Sequence, residues 1–113
     1  MPDDVIELIA VPKAAQALGV PVTRVDHWIR DGVLLGIRDA GGARCVPAAF
    51  ILDGAVVKGL QGVITLLRDA NYADSEIVTW LFRSDDSLPG APIQALRENR
   101  GTEVKRRAQV AGY

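Results

Sequence analysis

The chain has 113 residues, 49% hydrophobic and 24% charged, with a net charge of −1; this balance suits one globule, single or bipartite, and excludes a disordered tail. No apolar run approaches the roughly 20 residues that span a bilayer, and the start MPDDVIELIA is acidic where a secretory signal is basic, so a cytoplasmic protein is expected. One cysteine and one histidine exclude an intramolecular disulfide and a Cys/His metal cluster, and no cofactor motif is present.

In chain order, VIELIA reads as a strand, and VPKAAQALG as a short helix with Pro12 at its first turn, Ala14, Ala15 and Leu18 on one face, and Gly19 as its stop. After a tight turn a second helix is expected from Val22 to Asp31, closed by Gly32. Helical periodicity puts Val22, Val25, Trp28 and Ile29 on an inward arc and Thr23, Arg24, Asp26, His27, Arg30 and Asp31 on the outward remainder. LLGIRDAGGARCVP reads as strands Leu35–Arg38 and Arg44–Val46 around a Gly41-Gly42 turn. A helix, a turn, a second helix and then a basic hairpin is the order of a winged helix-turn-helix. In such a unit the second helix enters the major groove and the hairpin, or wing, rests on neighbouring backbone.

PAAFIL is expected to form a turn of helix, and Asp53-Gly54 to mark the boundary between a winged unit, 1–53, and a helical unit, 54–113. In the second unit Leu60, Val63, Ile64, Leu67 and Ala70 mark one helix, and Ile77, Trp80 and Leu81 another, capped by Asp74 or Ser75. SDDSLPGAP is a loop, Pro92 to Leu96 a short helix, and Thr102 the expected cap of a last helix to Val110. The fold class expected is therefore mainly α with a small β-hairpin wing.

LGVPVTRVDHWIRDGVL resembles the helix-turn-helix of excisionase-type and MerR-type regulators. With VPAAFILDG, GLQGVITLLRDANYADSEIVTWLF and DDSLPGAPIQALRENRGTEVKRRAQ, nearly the whole chain resembles a family of small actinobacterial DNA-binding proteins that join such a unit to a helical carboxy-terminal domain. The resemblance implies contacts with double-stranded DNA from Thr23, Arg24, His27 and Arg30 of the second helix and from Arg38 and Arg44 of the wing. Two residues depart from the pattern: Asp26 stands where a neutral or basic residue is usual, and Pro21 replaces a capping Ser. The tail, about 76–111, is also similar in architecture to the toxin-binding domain of bacterial antitoxins.

Each candidate has a plainer account. Arg24 and Arg30 would be solvated charges, with Arg30 pairing to Asp26 one turn earlier; Arg38 and Arg44 would be ordinary hairpin arms. His27 has no nucleophile or carboxylate placed beside it by any motif, so no enzyme is expected. Trp28 and Trp80 belong to the core, and Cys45 is a small buried residue rather than a reactive thiol. Lys105, Arg106 and Arg107 form the densest basic run and read as a solvated helix face, while Asp85 and Asp86 read as turn chemistry rather than a metal site. Residues 11–50 carry five cations, Lys13, Arg24, Arg30, Arg38 and Arg44, against three aspartates. The hairpin after the second helix favours DNA binding by that surface, with Lys13 as a further phosphate contact. The alternatives are a protein-interaction module with little DNA affinity and an antitoxin-like partner binder; the helical half is the expected place for a homodimer or protein partner.

Overall fold

A computed structural model describes residues 6–83 and 91–111. Strand β1 (Leu8–Ala10) leads into α1 (Val11–Leu18) and α2 (Val22–Asp31). The wing follows as β2 (Ile37–Arg38) and β3 (Arg44–Pro47). A single 3-10 turn, Ala48–Phe50, precedes β4 (Ile51–Leu52) and β5 (Ala55–Val56). The second half holds α3 (Leu60–Asp69), α4 (Asp74–Phe82), α5 (Pro92–Arg97) and α6 (Gly101–Ala111). Strands β1, β3 and β2 form an antiparallel sheet in that order, with Ile9 opposite Val46 and Arg38 opposite Arg44. The helix-turn-helix and its wing stand in the order expected.

Helix α1 ends at the left-handed Gly19, where the Val20 N–H donates to Ala15 O at 3.0 Å. Helix α2 begins after Pro21, which provides no side-chain cap, and ends at Gly32, where the Val33 N–H reaches Trp28 O at 2.8 Å. The inward arc of α2 is narrower than periodicity suggests. Val25 is fully buried, Trp28 and Ile29 are half-buried against the core, and Val22 is 41% exposed. Val22 occupies the first turn and is not among the side chains packed on the core. Trp80 is likewise only half-buried, since an indole on a small domain covers core without being enclosed by it.

Four local expectations change. Leu35 precedes the wing strand and packs fully buried with Leu34, so β2 starts at Ile37. Ile51 and Leu52, read as the end of a helical turn, form β4; Asp53 and Gly54, both left-handed at φ 54° and 79°, make the two-residue turn of a second hairpin to β5. Helix α4 starts after Ala73 rather than on an Asp74 or Ser75 cap; alanine has no acceptor, and Glu76 Oε1 instead accepts from the Ala73 N–H at 2.8 Å. Thr102 lies inside α6, which begins at Gly101. Val5 of the VIELIA reading, and Asp85 and Asp86 of the loop reading, lie outside the described residues.

One buried cluster runs through both halves. Val25, Leu34 and Phe50 from the first join Ile64, Leu67 and Leu81 from the second, and the Phe50 and Phe82 rings meet at 5.8 Å between centroids. Burying such side chains stabilises each half by roughly 1.5–3 kcal/mol per residue and ties their folding together. Among the described residues no helix is long and apolar enough to cross a membrane.

Candidate nucleic-acid interface

Because Val25 anchors α2 inward, the other side of the helix faces solvent. Thr23, Arg24, His27 and Arg30 are all exposed. Arg24 and His27 make no hydrogen bond or ion pair among the described residues, whereas Arg30 Nε donates to Asp31 Oδ1 at 3.2 Å, not to Asp26 as helical spacing suggests. Adjacent charges 69% and 57% exposed are weakly coupled, so this guanidinium remains available. Helix α2 carries no side-chain cap, so the Val22 and Thr23 N–H groups are left to solvent or an external acceptor, while the Arg24 N–H donates to Pro21 O at 3.0 Å.

The wing tip is built by Asp39. Its Oδ1 accepts from the N–H groups of Gly41 and Ala43, each at 2.9 Å, and its backbone closes the loop through Gly42 N to Asp39 O at 2.9 Å. Of the two glycines only Gly42 is left-handed, at φ 84°. The Ala43 N–H foremost, opposed by partial desolvation and reinforced by the Gly41 N–H, holds the Asp39 carboxyl below its ordinary value. Behind the tip, Cys45 is buried, with Sγ 3.7 Å from Asp39 Oδ2; burial and the neighbouring carboxylate push its thiol up, which agrees with an unreactive packing role.

Arg38 and Arg44 sit opposite each other across the two wing strands and both are exposed. Neither extends freely. Arg38 Nη1 donates to Gly42 O at 2.8 Å, folding along the tip, and Arg44 Nη1 donates to Asp26 Oδ1 at 2.7 Å. That second bond fastens the wing to α2, so the wing arginines and the exposed face of α2 belong to one surface. Lys13 is exposed on α1, and no hydrogen bond or ion pair among the described residues joins it to that group.

Two arginines that the sequence reading passed over hold this surface in place. Arg68, at the end of α3, donates to Ile29 O at 3.1 Å and Arg30 O at 3.3 Å, and to both Asp74 carboxylate oxygens at 3.0 Å. It thereby satisfies carbonyls at the carboxy-terminal end of α2. Gly32 admits it, since a Cβ there would meet Arg68 Nη1 at 3.1 Å. From α5, Arg97 Nη1 donates to Ala49 O at 2.8 Å and Ile51 O at 3.0 Å. These partners lie 38 to 48 residues away along the chain, a separation that no local pattern encodes.

Comparison with known proteins covers both halves. The sequence model of a family described as "DNA-binding protein Rv2175c, wHTH domain" matches residues 1–51, and that of "Rv2175c C-terminal domain of unknown function" matches residues 57–112. The DNA-binding protein Rv2175c of Mycobacterium tuberculosis is 39% identical over 115 residues, spanning 91% of this chain and 79% of the relative. The NMR structure of Rv2175c superposes with a TM-score of 0.87 at 36% identity, covering 97% of this chain and 84% of that one.

Proposed function

Because the chain belongs to the Rv2175c family of winged helix-turn-helix proteins, we propose that it binds double-stranded DNA, laying α2 in the major groove and resting the β2–β3 wing on neighbouring backbone. The observation that carries this reading is the exposure of Thr23, Arg24, His27 and Arg30 along one helix that Arg44 of the wing fastens through Asp26. Thr23, Arg24 and His27 supply base-edge contacts, with Arg30 beside them; Arg38, Arg44 and Lys13 neutralise phosphates. Its role is transcriptional regulation in the cytoplasm, residues 1–53 contacting DNA and residues 54–113 bracing them.

So few cations give one copy modest affinity, and a second copy doubles the contacts. An open cavity of about 550 Å³ beside α3 and α6, lined in part by Leu66, Ala108 and Val110, the last 66% exposed, favours the helical half as the place where a second copy docks. Sedimentation of the free protein tests that point.

DNA binding itself is tested by mobility-shift titration with a long duplex over a range of salt. The reading expects log affinity to fall with log salt at a slope of roughly −2 per copy, the charge of Arg44 being partly offset by Asp26, and Arg38→Ala to reduce its magnitude by about 0.9. No shift at low salt would favour the alternative, a protein-interaction module built on the same fold.

A further inference from the structure

Asp26 lies on the flank of α2 that meets the wing, its carboxylate bound by Arg44 at 2.7 Å. A carboxylate set against a polyanion is repelled unless its charge is balanced and its oxygens find donors. Arg44 supplies the balance and engages only Oδ1; no donor among the described residues reaches Oδ2. The guanidinium in turn keeps its remaining N–H groups for a phosphate. This flank is open: the Asp26 side chain is 36% exposed, and Val22, one turn earlier on α2, is 41% exposed.

An ionised carboxylate oxygen only accepts hydrogen bonds. In the major groove cytosine presents a donor amino group, guanine presents two acceptors, adenine sets its amino group beside the acceptor N7, and thymine offers an acceptor and a methyl. The base that suits Oδ2 is therefore cytosine. The geometry points to Asp26 as a specificity-determining residue: Oδ2 accepts from the amino group of a cytosine, while Arg44 holds Oδ1, fixes the carboxylate and offsets its charge. This inference rests on the DNA-binding reading of α2 and the wing.

The test is selection of bound duplexes from a random pool by the full chain, by Asp26→Asn and by the double variant Asp26→Asn/Arg44→Ala. All three should retain the helical circular dichroism, because an exposed pair adds little to stability. The full chain selects cytosine at a position that Asp26→Asn no longer discriminates, the preference there falling about tenfold or more while other positions persist. Asp26→Asn also binds random duplex more tightly, with a salt slope steeper by about 0.9. The double variant regains the original slope but not the cytosine preference, which separates base reading from simple charge. Unchanged base preference in Asp26→Asn overturns the inference alone. Recovery of no duplex by the full chain overturns the DNA-binding reading beneath it.

Discussion

In the winged half, Arg24, Arg30, Arg38 and Arg44 stand on exposed surface, while in the helical half Arg68 and Arg97 cross the junction to backbone carbonyls of α2, the 3-10 turn and β4. Arg100 bridges Glu98 and Glu103 within its own half. Equal residue types thus do opposite work. The outward arginines leave their charge on the surface, whereas the inward ones satisfy carbonyls of the other half. A net charge of −1 says little about the interface, because Arg68, Arg97 and Arg100 of the helical half are engaged by carbonyls and carboxylates within the protein.

The largest effect should come where the halves share their core. Phe50→Ala removes a fully buried ring in contact with Phe82 and should cost about 3–5 kcal/mol. Urea unfolding followed by circular dichroism and by tryptophan fluorescence should then still show coincident transitions, since Trp28 and Trp80 report on different halves. Separate transitions would break the comparison by making the halves independent.

Arg68→Ala comes next. It strips two α2 carbonyls and Asp74 of a donor in a side chain 28% exposed, and should lower stability by about 2 kcal/mol. Amide exchange should quicken at the end of α2 more than in β3. Arg38→Ala should do the reverse: unfolding free energy stays within about 0.5 kcal/mol, while DNA affinity loses part of its salt dependence. A large stability loss from Arg38→Ala would erase the division between outward and inward arginines.

The smallest effect concerns the wing tip. Asp39 is held below its ordinary pKa of 3.8 by the Ala43 and Gly41 N–H groups, so its contribution to stability is complete above that value and is lost as pH falls through the lower folded-state pKa. Urea midpoints measured downward from about pH 5 should fall less steeply in Asp39→Asn than in the parent protein.

Much of this fold is legible in sequence. Apolar residues at helical spacing with Gly19 and Gly32 as stops outline α1 and α2, and the Leu60-Val63-Ile64-Leu67 pattern outlines α3. Strands of two residues have no periodicity to read, so β4 and β5 appear only as a turn signal at Asp53-Gly54. The exposure of Val22 depends on where neighbouring elements end, and the Asp26–Arg44 pair joins residues 18 apart, while a nearer and equally plausible partner for Asp26, Arg30, turns to Asp31 instead. Local pattern sets the helices; the electrostatics of the surface are decided by tertiary proximity.

Titrating duplex DNA into isotopically labelled protein and following backbone amide shifts shows which surface the nucleic acid meets. The account predicts perturbations concentrated in α2 and in the wing around Arg38 to Arg44, with α3 through α6 responding only where Arg68 touches α2. Shifts gathered instead on α3 and α6, or an unchanged spectrum at low salt, would contradict it.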